Sequence, residues 1–181
     1  MLKLVKNCCI PNKRVFLCDM LKNGLLCGFF ILAGLLTACE KPEVYNADEQ
    51  YKKDEELIKK WSDSTHISLT KHESGLYYKI VSEGSGTVAV DQTDTLTVLY
   101  TGKLLTDSII SRTTDTVGYS FILSNSIPGW RNGLPLIKQG GQIRLLVPSA
   151  QAYKNYDVVA GVPKNAVLNF IIELKKVAKQ K

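Results

Sequence analysis

IPGWRNGL, residues 127–134, is the stretch that decides the fold. Pro128 suits the first position of a helix, where a missing N–H costs nothing. Trp130 and Leu134 stand four apart on one face, and Gly140-Gly141 follows as a stop and turn. The spacing predicts one short helix over 129–136. On either side the apolar period changes to two. Leu76, Tyr78 and Ile80 form one apolar face, and Leu96, Val98 and Tyr100 a second. Tyr119, Phe121 and Leu123 form a third, Ile143, Leu145 and Val147 a fourth, and Leu168, Phe170, Ile172 and Leu174 a fifth. Half-buried antiparallel strands produce this alternation. Five strands with one embedded helix predict a small α+β domain over 74–178, in which a sheet buries one face against the helix.

Upstream, Asp48–Trp61 (DEQYKKDEELIKKW) sets acids four residues ahead of lysines, an order that supports an exposed helix by about 0.2–0.5 kcal/mol per pair. Tyr51, Leu57, Ile58 and Trp61 give it a narrow apolar edge. Residues 39–73 therefore read as a spacer carrying an exposed helix, with a partner-binding or dimerising helix as the other reading.

The five cysteines are Cys8, Cys9, Cys18, Cys27 and Cys39, and none lies further along the chain. That distribution excludes a disulfide-stapled domain and a cysteine zinc site in the folded part. His66 and His72 have no ligand cluster around them, so no metal site is expected. The apolar run Gly24–Ala38 follows Lys22 and ends in Leu36-Thr37-Ala38-Cys39. A positive flank, a short apolar core and small residues before a cut describe a secretory signal. As a helix the run reaches only about 22 Å at ~1.5 Å per residue, short of the ~30 Å hydrocarbon core. Leu-Thr-Ala-Cys resembles the lipobox of bacterial lipoproteins. This predicts a signal peptide over 1–38 and lipid attachment at Cys39, hence a membrane-anchored protein of the cell envelope. Met20 would open a well-proportioned leader by itself, so the start stays open between Met1 and Met20. Removing residues 1–38 leaves a net charge of only +2, with no basic stripe, and a nucleic-acid partner is not expected.

The domain holds no histidine or cysteine to build a nucleophilic dyad. Its acids Asp91, Asp94, Asp107, Asp115 and Asp157 fall at turn or loop positions. Aromatic and branched apolar side chains are plentiful instead. VLYTGKL (Val98–Leu104), Tyr119-Ser120-Phe121, IPGWRNGL, Gly140-Gly141, Ala152-Tyr153 and VPKNAVLNF with Glu173-Leu174 occur in one order and spacing. Together they resemble the FK506-binding (FKBP) family of peptidyl-prolyl cis-trans isomerases, over about Gly75 to Val177.

The resemblance implies a curled antiparallel sheet wrapped around one short helix, and a proline pocket floored by Trp130. Tyr100, Ile110, Tyr119, Val162 and Phe170 would form its walls. The Ile127 N–H and the Tyr153 hydroxyl would hold the peptide carbonyls, and Tyr100, Ser111 and Tyr153 would be the catalytic positions. No cofactor is implied, and the partners would be proline-containing segments of exported proteins. Two departures stand out. The family's Phe-Asp pair is Ile110-Ser111 here, with Asp107 or Asp115 as substitutes if the loop is shifted, and Lys154–Ala160 reads as a remodelled flap over the pocket. Two functions follow: an isomerase assisting the folding of exported proteins, or a peptide-binding or chaperone module of the same fold with little turnover.

Overall fold

The computed structural model describes residues 45–86 and 91–179. By packing, the chain divides into Met1–Glu43 and Val44–Lys181. The expected signal peptide and Cys39 lie outside the described residues. No helix among the described residues is long and apolar enough to cross a membrane.

The second unit runs α1 (Ala47–Thr65), β1 (Thr70–Lys71), β2 (Tyr77–Ser82), β3 (Thr95–Leu104), β4 (Ile109–Arg112), β5 (Tyr119–Ile122), α2 (Pro128–Gly133), β6 (Gln142–Val147) and β7 (Leu168–Ala178). One antiparallel sheet holds the strands in the order β1-β2-β6-β7-β3-β4, and β5 pairs with β3 beside β4. The long β3 pairs β5 through Thr95–Val98 and β4 through Thr101–Lys103, so these two short strands share one of its edges. All five expected strands are present, and two more, β1 and β4, complete the sheet. Both are short and mostly exposed, so neither carries the alternation that betrays a buried face.

The expected helix over 129–136 is two pieces. Pro128–Gly133 is α-helical and Leu134–Leu136 is a 3₁₀ turn. Pro135 has no N–H with which to continue the α-helical ladder. The α2 helix lies unusually close to the sheet because two glycines face it. A Cβ on Gly129 would stand 2.5 Å from Val147 Cγ1, and one on Gly133 would stand 2.6 Å from Leu145 Cδ2. The main core fills this side: Leu76, Leu96, Val98, Leu123, Trp130, Leu134, Ile143, Leu145, Leu168, Ile172 and Leu174.

The other face of the sheet corrects the expectation for α1. It is no exposed spacer. Asp54, Ile58 and Trp61, three and four residues apart, are its buried stripe. Ile58 and Trp61 pack with Tyr77, Leu146 and Val167 in a second apolar cluster. Tyr77 and Leu146 are the strand residues that alternate away from the main core. Asn46 caps the helix through its side-chain oxygen, which accepts from Asp48 N (3.2 Å) and Glu49 N (3.3 Å). The boundary expected between 73 and 74 has no counterpart in this packing, because α1 and the sheet share a core.

Candidate active site

A cavity of about 520 Å³ opens between β3, β4 and β5 of the sheet and the start of α2. Trp130 lies at its floor, with only 6% of its surface exposed. Four rings stand around the indole or one another. Tyr100, Phe121 and Phe170 have centroids 5.1, 5.3 and 5.3 Å from Trp130, and Tyr119 stacks on Phe121 at 5.3 Å. Edge-to-face and tilted pairs at these separations add about 0.5–1.5 kcal/mol each beyond burial. The rings get this close because Gly102 has no side chain. A Cβ there would sit 2.6 Å from Phe170 Cε1.

The polar groups lie on the rim. Tyr100 Oη and Ser111 Oγ are 2.7 Å apart, and either hydroxyl can be the donor. Burial, with Tyr100 and Tyr119 adding to it, pushes the Tyr153 phenol above its ordinary range, so it remains a donor at neutral pH. The Ile127 N–H donates to no backbone carbonyl among the described residues, while its own carbonyl accepts from Trp130 N and Arg131 N at the start of α2. The indole Nε1–H of Trp130 is buried without a partner. Among the described residues, no carboxylate, ammonium, guanidinium or imidazole lines the cavity. Such a site can bind an apolar ring and donate hydrogen bonds to carbonyl oxygens.

The family model for the FKBP-type peptidyl-prolyl cis-trans isomerase matches residues 86–175. The chain belongs to this family. The FKBP-type domain is 39% identical over 102 residues to the FKBP-type peptidyl-prolyl cis-trans isomerase FkpA of Escherichia coli K12, covering 56% of this chain and 37% of that protein. It is 36% identical over 103 residues to a probable FKBP-type isomerase of Haemophilus influenzae, covering 56% of this chain and 42% of that protein. The chain thus spans about two fifths of the length of these curated relatives. Among solved structures, E. coli FkpA superposes with a TM-score of 0.59 at 31% identity, covering 72% of this chain and 63% of that one. The Pseudomonas syringae peptidyl-prolyl isomerase, 23% identical with a TM-score of 0.63, shares the fold, covering 74% of this chain and 97% of that one.

Of the residues expected at the FKBP-type site, Tyr100, Ile110, Ser111, Tyr119, Ile127, Trp130, Tyr153 and Phe170 all line the cavity. Val162 does not. It is 5% exposed and packs in the main core. The turn closed by Val162 N–H on the Val159 carbonyl (3.1 Å) presents Val159 to the cavity instead. The segment 154–160 thus contributes Val159 to the wall, while Tyr156 and Val158 stand exposed. Neither acid considered as a replacement for the missing carboxylate reaches Tyr100. Asp107 takes a left-handed turn conformation and pairs with Lys103 (3.4 Å), and Asp115 accepts from Gly118 N (2.9 Å). Phe121, Ile122, Asn125, Ser126 and Val159 also line the cavity without having been assigned to it. Phe121 alternates with Tyr119's neighbour Ser120, and Asn125 and Ser126 directly precede Ile127. Their adjacency to assigned residues was the available signal.

Proposed function

We propose that this domain is a peptidyl-prolyl cis-trans isomerase acting on proline-containing segments of exported proteins in the cell envelope. The observation that carries this reading is the cavity itself: an aromatic box over Trp130 with hydroxyl and N–H groups, and no charge, at its rim. Rotation about an X–Pro bond must break amide resonance, against a barrier of ~18–20 kcal/mol. A proline ring seated on the indole loses water, and a dry surrounding disfavours the charge-separated planar form. The Tyr153 hydroxyl and Ile127 N–H hold the flanking carbonyls. Binding the twisted amide better than the planar one then lowers the barrier without any bond to the protein. In a proline-limited refolding assay, catalytic amounts of the protein accelerate the slow phase and a Trp130→Ala variant does not. Equal rates for the two would sink the proposal.

A second reading rests on Ser111. Where the family pattern has a carboxylate beside the tyrosine, a neutral hydroxyl stands here, 2.7 Å from Tyr100 Oη. A binding module with little turnover would have the same cavity. Its signature is tight binding of a proline peptide with no refolding acceleration, and a gain of rate in Ser111→Asp.

We also infer that Cys39 carries the lipid anchor, on the strength of Leu36-Thr37-Ala38-Cys39 at the end of the apolar run. Metabolic labelling with an alkynyl fatty acid should mark the wild type in the membrane fraction and leave Cys39→Ala unlabelled. Label persisting on Cys39→Ala would refute the assignment.

A further inference from the structure

Asp54 is the one carboxylate of α1 that is fully buried. Its Oδ2 accepts from the backbone N–H of Ser149 (2.7 Å) and from the Ser149 hydroxyl (2.6 Å), and its Oδ1 accepts from Gln50 Nε2 (2.8 Å). All three donors are neutral. Burying a carboxylate on neutral donors is costly, and a well-packed apolar residue would hold a helix at least as firmly. What the carboxylate adds is direction: two bonds to one residue fix both the position and the rotation of Ser149.

Ser149 is the hub of the segment that carries the pocket's phenol. Its carbonyl accepts from Ala152 N (3.0 Å) and Lys154 N (2.8 Å), the two residues flanking Tyr153. Lys154 is held in a left-handed conformation, and its carbonyl accepts from Asn165 N (2.7 Å). The same turn is braced by Gln151, whose Nε2 donates to the Ser74 carbonyl (2.7 Å) and whose Oε1 accepts from Asn132 of α2 (3.2 Å). A strap of hydrogen bonds and backbone therefore runs from α1, through the turn Ser149–Gln151 that follows β6, to the residues flanking Tyr153 and on to the helix bearing Trp130.

We propose that Asp54 is a positioning residue for Tyr153, acting through Ser149, so that the N-terminal helix is part of the machinery of the site. This rests on the isomerase reading, in which Tyr153 holds a substrate carbonyl. A misplacement of about 1 Å at a group that orients the reacting amide lowers rates by up to about a hundredfold.

The test is a double-mutant cycle on the full chain, read as kcat/KM for a chromogenic proline tetrapeptide well below the melting temperature. Asp54→Ala and Ser149→Ala are each made in wild-type and Tyr153→Phe backgrounds. Ser149→Ala removes only the hydroxyl bond and covers the case in which Asp54→Ala fails to fold. Ile58→Val weakens the same helix without touching Ser149. The expected result is a ten- to hundredfold loss for Asp54→Ala, a smaller loss for Ser149→Ala, and less than twofold for either once Tyr153 is Phe. Ile58→Val should lower the melting temperature and leave kcat/KM unchanged. Equal losses in both backgrounds, or an activity loss in Ile58→Val matching its loss of stability, would overturn the proposal. Should the wild type show no turnover, the isomerase reading fails by itself. The cycle is then read as affinity for the same peptide from Trp130 fluorescence, where additive losses overturn the strap and non-additive losses uphold it.

Discussion

Replacing Ile58 by alanine asks whether α1 belongs to the domain. Ile58 is fully buried, between α1 and the back of the sheet, against Tyr77, Leu146 and Val167. The change removes three carbons, about 2.4 kcal/mol at ~0.8 kcal/mol per buried methylene. The space left under a helix held also by Trp61 and Asp54 closes only in part, and the cavity raises the cost to about 3 kcal/mol, within the range for such truncations. For a domain of this size that is a fall in melting temperature of about 10 °C. Leu57, the next residue along, is 48% exposed and serves as the control. Its truncation should cost less than about 0.5 kcal/mol. Thermal denaturation followed by circular dichroism compares the two in one experiment. A spacer helix lying loosely on the domain would give equal, small shifts for Ile58→Ala and Leu57→Ala. That outcome would refute the docking of α1 and, with it, any strap through Asp54.

The close ring packing makes Gly102→Ala destabilising by about 1–3 kcal/mol, because the new methyl would meet Phe170 Cε1 at 2.6 Å. The same shift of Phe170 should weaken proline-peptide binding, so calorimetry and titration change together, and stability loss with intact binding would count against Phe170 as a wall. A different prediction concerns acid. The Glu55 carboxylate accepts from the Tyr77 hydroxyl (2.5 Å) and from Lys71 (3.0 Å), which hold its pKa at about 2, below its ordinary 4.5. A carboxyl lowered on folding contributes stability above its unfolded pKa and loses it as pH falls toward the folded one. Wild type should therefore be more stable than Glu55→Gln at pH 6, with the gap closing between about pH 4.5 and 2. A gap that stays constant through that window would show that the charge of Glu55 is not what Tyr77 and Lys71 recognise.

Strands with one apolar face were legible because burial on one side forces a period of two, as at Ile143, Leu145 and Val147. The same logic hid α1. In β6, Leu146 is as fully buried as its neighbours but faces the other way, and a second buried face turns alternation into a continuous apolar run. LLV at 145–147 was the sign that something covers the back of the sheet. Within α1 the buried stripe contains Asp54, and a carboxylate counts as polar in any pattern until its partners at Ser149 are known. At the cavity, residues in the quoted motifs were found, while Val159 and Val162 exchanged places. Which of two valines three apart in a turn faces a pocket depends on the turn's hydrogen bond, Val162 N–H to the Val159 carbonyl, and no one-dimensional pattern encodes that.

The cavity and the core are one construction. Trp130, Phe170 and Val98 belong to the same buried cluster, and the cavity is the end of that cluster which β4, β5 and residues 154–160 leave uncovered. Glycines at 102, 129 and 133 remove atoms where rings and helix would otherwise collide, so the aromatic floor is set by what the backbone omits. Substitutions of Trp130 or Phe170 must therefore change stability and binding together, so the refolding comparison with Trp130→Ala is made at a temperature where circular dichroism shows the variant folded. The rim behaves differently. Tyr153 and Ser111 are attached by hydrogen bonds and a turn, and their hydroxyls can be removed without opening the core. On the isomerase reading, contributions to turnover separate most cleanly from stability at such rim positions. That is why the proposed coupling of Tyr153 to Asp54, through Ser149 in the turn after β6, bears directly on how the site is held.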